Sequence, residues 1–291
     1  MKSIFARLTA LGATLVIALQ PLPAFADKTI TVKGSDTILV LGQRWAEEYM
    51  KQHPETTIQV TGGGSGVGIA ALMDGTTDIA NASRQIKGKE IEKAKGAGYY
   101  PEEFKCALDS LAVVVNKDNP INELTLKQIM GIYIGRINDW SEVGGSPGAI
   151  IRYSRESSSG TYQFLKEFVL KNQDFAADAQ TMPGTSAVSN AVGNDLKGIG
   201  YGGAAYFLQD KNVKIIGVKK DDKTPAVYPV KDGKVDYEAA WSGTYPIWRY
   251  LYMYTGIKPR GELKQYIDWT LSPEGQKYVE EVGYVPLKTK G

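Results

Sequence analysis

The stretch IIRYSRESSSGTYQFLKEFVL, residues 150–170, holds the unit from which the rest of the chain reads. Residues 150–153 are a short β-rich run, residues 157–161 a Ser/Gly/Thr turn, and residues 162–170 follow as a helix. The same order occurs twice upstream. ITVKGSDTILVLGQRW, residues 30–45, passes from a strand through GSDT into a helix predicted over about 39–52, where Leu41, Trp45 and Tyr49 recur every four residues. Residues 57–60 form another strand, running into GGGSG at 62–66 and a helix through Ala70 to Met73. Strands alternating with helices in this way predict an α/β architecture with largely parallel sheets.

Residues 1–26 are set apart. Lys2 and Arg7 precede an apolar run from Leu8 to Leu19, and Ala24-Phe25-Ala26 fits a signal-peptidase site, so the mature chain is expected to begin at Asp27 and to be secreted. Of 291 residues, 265 remain, enough for two lobes. Without the two basic residues of the leader, 32 Lys and Arg balance 32 Asp and Glu. That balance argues against nucleic-acid or membrane-surface binding, both of which draw on excess basic charge. Cys106 is the single cysteine, which excludes an intramolecular disulfide, and its apolar setting reads as a small buried hydrophobe.

Further along, residues 78–82 form a strand ending at Ser83-Arg84, and residues 87–97 a polar helix. The apolar run 108–115 is a buried strand, and the chain is expected to cross between lobes beside it. Thr125, with Gln128 three residues on, predicts a capping box opening a helix over 125–132. Residues 186–196 read as a helix, 199–203 and 213–218 as strands, 245–247 and 251–254 as strand material, and 262–271 and 273–282 as helices. The charged run 219–223 reads as a solvated loop, with the return crossing near it. Lobe one is thus expected over 27–110 and 222–291, and lobe two over 111–221.

The three turns are the candidate site. A helix N-terminus leaves N–H groups unsatisfied and carries partial positive charge, so small hydroxyl residues there either cap the helix or reach an anion. One such turn reads as ordinary capping; three delivered to one sheet edge favour convergence on an anion. Arg155, two residues before the serine run, adds a guanidinium that pairs with an oxyanion through two parallel hydrogen bonds. Other glycine-loop chemistries do not fit: residues 62–68 lack the P-loop lysine, the dinucleotide spacing and the last glycine of a hydrolase elbow. Catalysis finds little material. His53 is the only histidine and reads as a solvent-facing helix end, so neither a Ser-His-Asp triad nor a zinc site of the usual type is expected. No cofactor and no metal is called for.

At these segments the chain resembles the phosphate-binding proteins of bacterial phosphate ABC transporters, within the periplasmic-binding-protein group. The similarity runs through GSDT (34–37), GGGSG (62–66), DIANASR (78–84), LAVVVNKDNP (111–120), GIYIGRINDW (131–140), SRESSSGTY (154–162), GIGYGG (198–203) and SPEGQKYV (272–279). The resemblance implies a two-lobe fold closing on one phosphate. It also implies a monomeric periplasmic carrier that delivers its ligand to an inner-membrane ABC permease. Thr37, with Ser35 and neighbouring N–H groups, would donate from the first turn and Ser65 from the second. Arg155, Ser159, Gly160 and Thr161 would donate from the other lobe.

One position departs from the pattern. Better-known members end the third strand with an aspartate that accepts a hydrogen bond from protonated phosphate, and here Arg84 stands in its place. Asp36 is expected to supply the acceptor, with Arg84 pairing to Asp36 or to the anion; the alternative is that Asp36 caps the following helix. Arg84 keeps open another tetrahedral oxyanion such as sulfate, molybdate or tungstate. A secreted sensor or adhesin without a permease shares the same binding chemistry, whereas a phosphatase would need a metal cluster or an activated nucleophile.

Overall fold

The computed structural model describes residues 28–288, so the leader read over 1–26 lies outside the described residues. Strand β1 (Lys28–Gly34) leads into α1 (Leu39–Gln52), β2 (Thr56–Thr61) into α2 (Ser65–Met73) and β3 (Ile79–Ala82) into α3 (Gly88–Gly96). Then come β4 (Glu102–Asn116), β5 (Glu123–Thr125), α4 (Leu126–Tyr133), β6 (Ile151–Arg155) and α5 (Gly160–Phe164). They are followed by β7 (Gln180–Met182), α6 (Thr185–Gly193), β8 (Gly198–Gly203), α7 (Ala204–Phe207) and β9 (Val213–Lys219). A hairpin of β10 (Val230–Lys231) and β11 (Lys234–Val235) precedes α8 (Tyr237–Trp241) and β12 (Trp248–Thr255). Helices α9 (Gly261–Leu271) and α10 (Pro273–Val282) close the described chain. No described helix is long and apolar enough to cross a membrane.

Local sequence accounts for much of this. Helix α1 buries the stripe of Leu41, Trp45 and Tyr49 and leaves Glu47 and Lys51 outside. The Thr125 capping box forms: the Gln128 N–H donates to Thr125 Oγ1 at 3.1 Å, and the Thr125 N–H donates to Gln128 Oε1 at 2.8 Å. Helix α5 is shorter than its sequence suggests. After one regular turn, residues Leu165–Val169 widen into π-helical geometry, and Lys171 and Asn172 then turn the chain at positive φ.

The main sheet runs β2-β1-β3-β12-β4-β8-β6-β7, with β9 also on β4 and β5 on β9. Parallel pairing joins β1 to β2 and β3, β6 to β7 and β8, and β5 to β9. The central strands β12 and β4 run antiparallel to their neighbours, so the sheet is mixed, with five parallel pairings and four antiparallel ones. Strand β4 joins the two halves. Its residues 102–110 pair with β12, and residues 111–115 pair with β8. Every side chain from Cys106 to Asn116 is buried, which is why this run reads as continuously apolar. Its first residues, Glu-Glu-Phe-Lys, are mostly exposed and polar, so the sequence hides the start of the strand.

Two cores flank the change of partner. Ile30, Leu41, Trp45, Cys106, Leu251 and Tyr266 belong to the first, and Leu111, Val113, Ile132, Tyr201, Tyr245 and Ile247 to the second. Tyr245 and Ile247 thus pack with lobe two and are not in a strand. Ala239, Tyr245 and Ile247, all beyond the expected return near residue 222, belong to the second core. Residues 222–247 carry polar and charged loop material that masks their second-lobe contacts from sequence.

Candidate functional site

The three small-residue turns meet at the seam between the lobes. Ser35 follows β1 and is anchored by its N–H to the Asn81 carbonyl at 2.8 Å, and the Gly64 N–H donates to the Gly34 carbonyl at 2.8 Å. These bonds join the first two turns within lobe one. The third turn arrives from lobe two: the Gly66 N–H donates to the Ser158 carbonyl at 2.9 Å, and Thr37 Oγ1 and Thr161 Oγ1 lie 2.9 Å apart. Thr37, Ser65, Ser159 and Thr161 are all buried.

Close approach dictates two of the glycines. A Cβ on Gly160 would sit 2.3 Å from Ser65 Oγ and 2.6 Å from Ser83 Oγ, across the seam. Gly64 has φ of 96°, and a Cβ there would meet the Ser158 carbonyl oxygen at 2.9 Å.

The capping alternative separates turn by turn. Helices α1 and α2 have no side-chain cap, whereas Ser159 Oγ caps α5 by accepting from the Thr161 and Tyr162 N–H groups. Asp36 does not cap α1. Its Oδ1 accepts from the Gly63 N–H at 2.8 Å, and its Oδ2 from Arg155 Nη2 at 2.7 Å. Arg155, almost fully buried, also donates through Nη1 to Thr185 Oγ1 at 3.1 Å. The Asp36–Arg155 pair therefore bonds lobe to lobe.

Arg84 corrects an expectation. It does not pair with Asp36; its two terminal nitrogens donate to the two carboxylate oxygens of Glu90, each at 2.8 Å, and Nη1 also to the Gln85 carbonyl at 2.9 Å. Burial pushes the Glu90 carboxyl up, but the hydrogen bonds from Arg84 and the Lys87 N–H outweigh it and hold the group below its ordinary range. Glu90 lies in the first turn of α3, which the sequence shows only as polar. Lys87 makes a further lobe-to-lobe link, to Gln163 at 2.8 Å and Glu167 at 2.9 Å.

Several site-side groups escaped the sequence. Thr185 opens α6 after Pro183-Gly184, a fourth turn of the same design that the pattern could have revealed. The Tyr206 and Tyr284 hydroxyls donate to the Asp36 and Thr37 carbonyls and hold the first turn. Burial, and then the Asp36 carboxylate, push the Tyr206 phenol up to about 12. Arg249 and Asp109 form a buried ion pair that reaches Thr161. Elsewhere, Cys106 is buried with its thiol pushed up by desolvation. His53 stacks on Tyr49 at 4.1 Å beside Glu55 and Glu262, at the far end of α1 from the turns.

Two lobes sharing one strand, with an arginine and a set of hydroxyl and N–H donors on their seam, make an arrangement chemically suited to an oxyanion. The family model described as the PBP superfamily domain matches residues 20–274. The phosphate-binding protein PstS of Pseudomonas aeruginosa is 33% identical, over 96% of this chain and 91% of its own length. The PstS of Staphylococcus haemolyticus is 35% identical, over 88% and 81%. Among solved structures, a phosphate ABC transporter substrate-binding protein with bound phosphate from Clostridium perfringens is 30% identical. It aligns with 90% of this chain and 100% of its own at a TM-score of 0.76. An ABC-type phosphate transport receptor from Vibrio cholerae aligns with 89% and 100% at a TM-score of 0.70 and 29% identity. The chain belongs to the PBP superfamily, in the family of the PstS phosphate-binding proteins.

Proposed function

We propose that the protein captures inorganic phosphate between its lobes and delivers it to an inner-membrane ABC permease. The observation that carries this reading is the meeting of donors from both lobes at one seam, with Thr37, Ser65 and Asp36 on one side and Arg155, Ser159, Gly160 and Thr161 on the other. Fixed N–H and hydroxyl dipoles replace the hydration shell of an oxyanion, and Arg155 adds a guanidinium beside them. Ser35 Oγ is buried without a partner and offers one more donor. Because the donors belong to both lobes, a bound anion stabilises the closed arrangement over an open one.

Asp36 is the acceptor for the phosphate proton in this reading. An ionised carboxylate offers about four lone-pair sites, and Gly63 and Arg155 occupy two of them. Sulfate brings no proton to Asp36 and meets its charge unrelieved. The protein acts as a carrier and not as a catalyst, since His53 and Cys106 lie apart from the seam. Its place is the periplasm, reached through the leader, and it works as a monomer. Titration with phosphate, arsenate and sulfate while following tryptophan fluorescence tests the reading. Saturable responses to phosphate and arsenate with none to sulfate are expected; no phosphate response, or turnover of a phosphate ester, would overturn it.

A further inference from the structure

Asp109 and Arg249 stand where the fold changes hands. They are direct cross-strand partners of β4 and β12, two residues before β4 leaves β12 for β8 at Leu111. Both side chains are almost wholly buried. Arg249 Nε and Nη2 donate to the same oxygen, Asp109 Oδ2, at 3.0 and 2.8 Å. Nη2 also donates to Thr161 Oγ1 at 2.9 Å, and Phe164 lies beneath the guanidinium at 5.2 Å. A lobe-one strand thus holds a lobe-two hydroxyl that in turn meets Thr37.

As a packing device the pair is poor. Burying two charges costs several kcal/mol each and is repaid only when the remaining hydrogen-bonding capacity is filled. Here Asp109 Oδ1 and Arg249 Nη1 are buried without partners. Beyond itself, the pair donates a hydrogen bond to a threonine of the seam. An N–H donated to Thr161 Oγ1 fills one lone pair, turns the hydroxyl proton away from Arg249 and makes it a stronger donor. Asp109 neutralises the guanidinium, so the pair polarises Thr161 without adding net charge to the seam.

Resting on the phosphate reading, we propose that Asp109–Arg249 is a positioning pair that sets the Thr161 hydroxyl as a donor to the bound oxyanion. It thereby ties the two crossing strands to the ligand. Neither residue needs to touch the anion.

A double-mutant cycle on the full chain tests this, with phosphate affinity read by calorimetry and the ligand-free melting point as control. Asp109→Leu with Arg249→Met removes the pair without leaving a lone buried charge, and Thr161→Val removes the hydroxyl it acts on. Losing the pair is expected to weaken phosphate binding about tenfold. In the Thr161→Val background the same change is expected to cost less than about twofold. Should the paired substitution lower the ligand-free melting point by more than about 10 °C, Arg249→Lys takes its place in the cycle. Lysine keeps the charge against Asp109 but lacks the planar fork that serves both partners, and the same loss is expected. Equal losses with and without the Thr161 hydroxyl would overturn the positioning role while leaving phosphate binding intact. Failure of the unmodified chain to bind phosphate would overturn the phosphate reading and this one together.

Discussion

Arg155 and Arg84 both follow a strand that ends at the seam, and both are buried, yet they bond in different directions. Arg155, closing β6, reaches out of its own lobe to Asp36 and Thr185. Arg84, two residues past β3, turns back onto Glu90 of its own lobe and is held there by two parallel bonds. The difference follows from what stands within reach. Helix α3 starts four residues after Arg84 and offers a carboxylate in its first turn, whereas α5 opens with serine, glycine and threonine and leaves Arg155 no acid of comparable geometry. Glu156 approaches it only at 3.4 Å. An arginine at a strand end is therefore read by the first turn of the next helix. An acidic turn captures it, and a hydroxyl turn leaves it directed across the seam.

The sharpest way to break this comparison is to neutralise each arginine. Arg155→Gln is expected to weaken phosphate binding about a hundredfold, or about 3 kcal/mol by calorimetry; a loss below about fivefold would remove Arg155 from the site. Asp36→Asn sharpens the same side. Phosphate affinity is expected to fall about tenfold while sulfate gains relative to it, and an unchanged selectivity ratio would return the acceptor role to another group.

The smallest effect belongs to the other arginine. Arg84→Gln with Glu90→Gln is expected to change phosphate affinity by less than about threefold and to lower the melting point by a few degrees at pH 7. Glu90 is held below its ordinary value of 4.5. Its contribution is therefore fully present above that value and is lost as pH falls through the lowered folded one. The gap in melting point between the parent chain and the double variant should close as pH falls below that ordinary value and through the lowered one. A gap that stays open would show that the pair contributes through packing alone.

The parts of this architecture written in short-range pattern were legible. The four-residue stripe of α1, the Thr125 capping box and the three turns each depend on residues within one turn of one another. What sequence could not show is pairing across distance. Arg249 lies 140 residues from Asp109, and Arg155 lies 119 residues from Asp36. The first of these pairs passed unnoticed, because an arginine in an apolar strand gives no local sign of its partner. In the second both residues stand out in sequence, but Arg84 is open there to Asp36 or to the anion, because nothing nearby marks Glu90 as its partner. Residues 222–247 look like loop in composition, and only the structure shows Ala239, Tyr245 and Ile247 in the second core.

The position of β12 has a consequence for how the chain matures. It lies between β3 and β4 in the finished sheet, yet it is residues 248–255 in the order of synthesis. Until that strand emerges, the first lobe consists of two unjoined pieces: β1 to β3 on one side and the first half of β4 on the other. The main-sheet strands of the second lobe all lie between residues 111 and 219 and can pair without β12. The middle of the chain can therefore pair its strands before its beginning does, and the first lobe must wait with open strand edges for almost the whole polypeptide to be delivered.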